Sequence, residues 1–208
     1  MKLLPLLIVV LLVGCSSATE STNTHLLSEP APATITVSLS LYVVHVSDGA
    51  GAVPSVRSEA NLEEIAANMA EIWSQAGINF DPVNVATIEV PSAALADLDH
   101  LDSDTFLRLA GREFDVPNPG LINGFYIAAA GGVNGFAPAR TRTFFVVDEP
   151  TVHDERVSSH EVGHILGLHH DLEDVENLLF SGTNGTVLTG EQQMVARYSA
   201  RGVVAGAR

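Results

Sequence analysis

Residues 160–170 read HEVGHILGLHH, which places four histidines and one glutamate within eleven residues. On a helix, His160 and His164 project from one face one turn apart, so their imidazoles can share a single ion. Glu161 stands beside them, where it can hold a water on that ion and take its proton. Gly167 can adopt positive φ, which lets the chain leave the helix and swing a later histidine to a third corner of the site. His170 has the spacing from Gly167 to be that ligand, and His169 is the competing donor, expected to be solvated or to support a ligand. Three protein ligands with a fourth corner open to water or substrate mark a catalytic zinc site, whereas structural zinc sites are closed by a fourth protein ligand. The expected cofactor is therefore Zn2+ and the expected reaction is hydrolysis: a zinc-activated water attacks a carbonyl, and Glu161 takes its proton and passes it to the leaving amine. No side chain follows the motif closely enough to be assigned to an oxyanion. Tyr126 falls in a predicted strand and Tyr198 in a predicted C-terminal helix.

The complete string H-E-x-x-H-x-x-G-x-x-H resembles the signature of the metzincin clan of zinc endopeptidases. The resemblance implies zinc ligation by His160, His164 and His170 and a general base at Glu161. Asp171, just after the third histidine, is similar to the residue found there in the adamalysin-like branch. The clan places a methionine in a turn beneath the zinc; here the matching segment is Asn177-Leu178-Leu179, with Leu179 in the methionine's place. That exchange keeps bulk and apolarity, and such swaps cost under about 1.5 kcal/mol in a packed site. Leu188-Thr189-Gly190-Glu191-Gln192 resembles the entry to the closing helix of bacterial members. The likeness is specific from Ser158 to Arg197 and topological before that.

Those site residues need a scaffold, and the chain from residue 34 to 208 has the length of one domain. Thr34 to Val46 alternates and is β-branched, which predicts a first strand; Ser58 to Ala76 carries Leu62, Ile65, Met69, Ile72 and Trp73 at helical spacing, which predicts a backing helix. Ile78 to Val90 reads as a strand with an irregularity at Pro82, Pro91 to Gly111 as helix mixed with loop, and Leu121 to Ala130 and Thr141 to Val147 as two more strands. Between these two, Gly131 to Ala139 (GGVNGFAPA) suits a bulged edge strand. The metzincin resemblance implies an α+β fold: a twisted mixed sheet with one antiparallel edge strand, a backing helix, an active-site helix and a small C-terminal subdomain. It also implies that the edge segment, through Val133, Asn134, Gly135, Phe136 and Ala137, binds an extended peptide substrate by strand addition. A plain glycine-rich connection is the competing reading of the same residues.

The amino-terminal residues predict export. Lys2 precedes an apolar run from Leu3 to Val13, too short to span a bilayer and proportioned like a secretory signal. The run ends in Leu12-Val13-Gly14-Cys15, similar to a bacterial lipobox, and Cys15 is the single cysteine of the chain. The expected organisation is a lipoprotein signal peptide over residues 1–14, a lipidated flexible tether over 15–33 and the catalytic domain over 34–208, in a lipid-anchored protein of the bacterial cell envelope. Ser16 after the cysteine resembles the pattern sorted to an outer membrane. With Cys15 committed to lipid, no thiol remains for a disulfide or for a cysteine latch on zinc, so any latency would come from an acidic side chain or a separate inhibitor protein.

Charge narrows the partners. The chain carries 25 acidic and 10 basic residues, a net charge of -15, which disfavours nucleic acid and electrostatic docking on anionic lipid. The run Asp97 to Asp104 clusters carboxylates but lacks the glycine and terminal glutamate of a calcium loop, so a solvated acidic loop is expected. His25, His45, His100 and His153 lack ligand spacing. Besides the endopeptidase, the sequence allows a non-catalytic zinc-fold lipoprotein acting as a binding or adhesion module, and a zinc hydrolase of non-peptide amides. Glu161 separates enzyme from module, because a structural site has no use for a general base.

Overall fold

The computed structural model describes residues 33–48, 54–114, 116–148 and 154–206. The predicted signal peptide, Cys15 and all of the tether but Ala33 lie outside these residues. Strands β1 (Ile35–Val46), β2 (Ile78–Val90), β3 (Ile122–Ile127), β4 (Gly135–Phe136) and β5 (Thr143–Val147) form one sheet in the order β2-β1-β3-β5-β4. β1 runs parallel to β2 and β3, and β3 parallel to β5, while β4 is antiparallel to β5. The fold is thus mixed α/β with a mostly parallel sheet: parallel neighbours need crossover connections, which the helix over Glu59–Trp73 supplies between β1 and β2 and the segment carrying β4 supplies between β3 and β5.

Strand alternation divides the core between the two faces of the sheet. Val37, Leu39, Leu41 and Val43 of β1 join Ile122, Phe144 and Val146 on one face, whereas Tyr42 and Val44 join Ile88, Phe125, Phe145 and Val147 on the other. The first face is covered by α1 (Glu59–Trp73), which buries Leu62, Ile65, Met69 and Trp73 and starts in a capping box at Ser58 and Asn61. It is also covered by α3 (Asp154–Ile165) and α4 (Gly190–Val204), whose Val157, Val162, Ala196, Ala200 and Val203 lie in the same cluster. The second face is closed by α2 (Asp104–Phe114), whose Phe106 meets Phe125 and Phe145 edge-on at 4.9 and 5.2 Å.

The irregularity expected at Pro82 is a bulge within β2: Pro82 pairs with Leu39, and the register then skips Val83 so that Asn84 faces Ser40. Two elements differ from expectation. The anticipated edge strand over Gly131 to Ala139 contracts to Gly135–Phe136, because Gly131 and Gly132 adopt positive φ and turn the chain before it can pair. The expected small C-terminal subdomain has no core of its own: α4 packs into the main cluster, and Arg197 ties it to the turn between α1 and β2 by donating to Ala76 O at 2.7 Å and Gly77 O at 3.1 Å. The acidic run is split between a short 3₁₀ turn at Leu98–His100 and the start of α2, with Asp97 accepting from Thr105 Oγ1 at 2.7 Å and Asp102 from Asp104 N at 3.0 Å. These carboxylates complete local turns.

Candidate metal centre

The site grows from the C-terminal half of α3. That helix lies across the first face, and Arg57 pins its start: the guanidinium donates to Asp154 at 2.7 and 2.5 Å, to Val147 O at 2.8 Å and to Asp148, and stands 5.4 Å over the Tyr126 ring. Tyr126, fully buried, shares a 2.9 Å hydrogen bond with Ser158 Oγ. Burial pushes its phenol well above the ordinary range, and its contacts with Ser158 and Arg57 make it part of the framework behind α3. Arg57, Asp148 and Asp154 were not legible as a unit in the sequence, since more than 90 residues separate Arg57 from Asp148.

α3 ends where the glycine requires. Gly167 has φ 85°, Gly167 N donates to His164 O at 3.0 Å and Leu168 N to Gly163 O at 2.9 Å, so the last carbonyls are capped while the chain reverses. The reversal carries His170 back to the helix face. The Nε2 atoms of His160, His164 and His170 lie 3.2 Å from one another in all three pairs. The donor atoms form a near-equilateral triangle, and among the described residues this is the group of His, Cys, Asp or Glu side chains gathered closely enough to hold an ion. His169 is exposed, as His170 is, but is not part of this group.

The donors fit zinc. Nitrogens about 2.0–2.1 Å from a tetrahedral Zn2+ stand roughly 3.3–3.4 Å apart, close to the 3.2 Å observed. His160 Nδ1 is 2.7 Å from Leu178 O and His164 Nδ1 is 3.0 Å from Leu168 O. A carbonyl only accepts, so each Nδ1 carries the hydrogen and each Nε2 presents a lone pair inward. Burial, reinforced by the neighbouring histidines and Arg156, holds His160 down at about 4, and burial also lowers His164, so both rings are neutral at pH 7. Two lone pairs facing each other at this distance repel unless a cation lies between them.

Glu161 is 5% exposed, and burial raises its carboxyl to about 8 against the opposing pull of the Arg156 charge. The edge strand passes directly above it: a Cβ on Gly135 would stand 3.2 Å from Glu161 Cγ and 2.8 Å from Val157 Cγ1. Gly135 is therefore required for a close approach as well as for the strand. Of the predicted substrate segment, Gly135 and Phe136 pair with Val146 and Phe145 and Asn134 O accepts from Val147 N at 2.9 Å, leaving Val133 and Ala137 outside the ladder.

Beneath the triad runs the turn of residues 177–180. Leu179 is fully buried, and its methyls stand 3.2 and 3.3 Å from where a Cβ on Gly163 would be, so leucine fills the space under α3 between His160 and His164. Asn177 anchors the turn: its Oδ1 accepts from Leu179 N at 2.9 Å, and its side chain exchanges hydrogen bonds with Gln192 at 2.8 and 3.2 Å. Asp171 donates its N–H to Leu179 O at 3.1 Å, and its carboxylate accepts from the N–H groups of Asp174 and Glu173, which lower its pKa. Arg156, buried on the inner side of α3, donates to three carbonyls of the following loop. Its role was not read from the sequence, where an arginine four residues before His160 looks like surface charge.

The fold resembles solved structures. Archaemetzincin from Methanopyrus kandleri matches with a TM-score of 0.50 and 16% identity, covering 83% of this chain and 99% of that one. A chain in a chaperone–substrate complex matches with a TM-score of 0.56 and 13% identity, covering 84% of this chain and 35% of that one. A zinc-dependent peptidase from Methanocorpusculum labreanum matches with a TM-score of 0.49 and 13% identity, over 76% of this chain and 99% of that one. At these identities the likeness to the first two is one of fold. No protein-family model matches the chain, and no curated protein matches it in sequence.

Proposed function

We propose that this protein is a zinc-dependent endopeptidase of metzincin type. The observation that carries the reading is the triangle of Nε2 atoms at 3.2 Å with a buried carboxyl on the residue following the first histidine. Bound zinc supplies Lewis acidity, polarising a carbonyl and acidifying water near neutral pH. The residues of the chain supply the rest. His160, His164 and His170 hold the ion through Nε2, with the first two rings oriented by Leu178 O and Leu168 O. The Glu161 carboxylate takes the proton of the attacking water and releases it to the departing amine. A cation in the triad favours the ionised form that this step needs. The edge segment around Gly135 and Phe136 offers main-chain groups to an extended peptide beside Glu161.

Glu161→Gln tests the reading. The variant keeps shape and zinc content but loses proton acceptance, and peptide hydrolysis should fall by at least about a hundredfold. Wild-type protein that binds one zinc, cleaves nothing in a broad peptide library and matches the variant in every respect would instead identify a non-catalytic binding module. Export and lipidation at Cys15 belong to the same proposal and are supported by the sequence of residues 2–16. Cys15→Ala should move the protein from the membrane fraction to the soluble one, and an unmodified mature N-terminus starting elsewhere would refute the anchoring. No helix among the described residues is long and apolar enough to cross a membrane.

A further inference from the structure

Arg156 is 8% exposed, yet no carboxylate among the described residues forms an ion pair with it. The Glu161 charge acts on it from beyond ion-pair distance, and a buried guanidinium with no carboxylate in contact is costly unless its hydrogens are taken up. Here they are taken up by backbone. Nε donates to Gly185 O at 3.2 Å, and one Nη2 donates both to Leu178 O at 2.9 Å and to Phe180 O at 2.5 Å. All three carbonyls belong to the loop that passes beneath the triad. One of them, Leu178 O, is also the acceptor of His160 Nδ1–H at 2.7 Å. The carbonyl that orients the first histidine is therefore itself held by Arg156.

The turn is also held by Leu178 N on Val187 O at 2.8 Å and Asp171 N on Leu179 O at 3.1 Å, but among the described residues the side-chain donors that reach its carbonyls from α3 are Arg156 and His160. Leu179 fills space but is apolar, and the Asn177–Gln192 pair ties the turn to α4 and not to α3. Gly185 packs so closely on the neighbouring loop strand that a Cβ there would stand 2.3 Å from the Glu176 carbonyl carbon. A planar fork with several fixed N–H groups can bridge carbonyls on both sides of such a turn, whereas an ammonium is a single point.

We propose that Arg156 is a positioning residue of the metal centre, fixing the Leu178 carbonyl and through it the orientation of His160. The inference rests on the reading of His160, His164 and His170 as a zinc site. Its consequence is that the turn is set by a buried cation on the ligand-bearing helix itself, in a chain whose turn carries leucine.

The test compares the full protein with Arg156→Met and Arg156→Lys. Zinc affinity is measured by competition with a chromophoric chelator at fixed pH, the absorption spectrum of the Co2+-loaded protein is recorded, and folding of the metal-free proteins is followed by circular dichroism. Loss of a group supporting a metal-binding histidine costs on the order of 10–100-fold in metal affinity. Arg156→Met should therefore bind zinc at least about tenfold more weakly with a changed Co2+ spectrum, although folded. Arg156→Lys should fall between the two. Folded Arg156→Met with wild-type affinity and spectrum would overturn the proposal and leave the arginine a structural role only. If the methionine variant does not fold, the lysine variant decides: weakened zinc binding supports the proposal, and wild-type binding refutes it. Failure of the wild type itself to bind zinc or Co2+ would refute the underlying zinc reading instead.

Discussion

Leu179→Ala probes the contact on which the geometry of the triad depends. The side chain is fully buried, and its two methyls lie against α3 at Gly163, between the first two histidines. Truncation removes three carbons and opens a void that the neighbours must close. They are poorly placed to do so: Asn177 and Gln192 hold the turn from α4 at 2.8 Å, Arg156 holds it from α3, and Gly163 has no side chain to move into the gap. Leucine-to-alanine changes in cores cost about 2–5 kcal/mol, the larger values at sites that cannot collapse, so roughly 3–5 kcal/mol is expected here. Leu179→Met, which preserves volume, should cost under about 1.5 kcal/mol. Urea unfolding of chelator-treated protein measures both, with the midpoint shifting and the slope unchanged if only the folded state is affected. An alanine variant within about 1 kcal/mol of wild type would refute the packing argument, since a leucine fully removed from water cannot be worth so little unless the turn is loose.

His170→Ala should abolish stoichiometric zinc binding while His169→Ala retains it, because only the former contributes to the 3.2 Å triangle; elemental analysis of the purified variants decides it. Arg57→Met should destabilise the protein by about 3–5 kcal/mol, since it strands the Asp148 carboxylate, whose side chain is 6% exposed, without its cation; thermal or urea unfolding reads the loss, and a cost below about 1 kcal/mol would contradict the pairing. A pH effect follows from Glu161 in metal-free protein. Burial raises its carboxyl from 4.5 to about 8, so the folded state holds a proton that the unfolded chain releases, and stability must fall as pH rises towards 8. Below 6.5 the depressed His160, at about 4, acts in the opposite sense and masks this slope. The clean window is therefore pH 6.5 to 8, over which about 2 kcal/mol should be lost at about 1.36 kcal/mol per unit. Glu161→Gln should flatten that slope, and an unchanged slope would place the titrating group elsewhere.

The sequence by itself determined the grouping of His160, His164 and His170 and the main elements, because both are recorded in short-range spacing. Two histidines four apart can share a helix face only if the segment is helical, and a glycine three residues on ends that helix in a defined way; Gly167 at φ 85° and the return of His170 are the local result. The strands β1 and β2 and the helix α1 were legible for the same reason, since alternation and 3.6-residue periodicity are properties of consecutive residues. Tertiary structure decided what depends on separation along the chain. The edge strand shrank to Gly135–Phe136 because pairing with β5 was decided by positive-φ glycines upstream and by the close approach over Glu161, neither of which composition reveals. α4 belongs to the main core because its apolar stripe packs on the face that β1 and α1 share, which no periodicity within α4 specifies. Arg57 and Arg156 look alike in sequence as isolated cations. Only the fold distinguishes the one that pairs with Asp148 and Asp154 from the one whose hydrogens go to the carbonyl orienting His160, because a hydrogen-bond partner is chosen by distance in space.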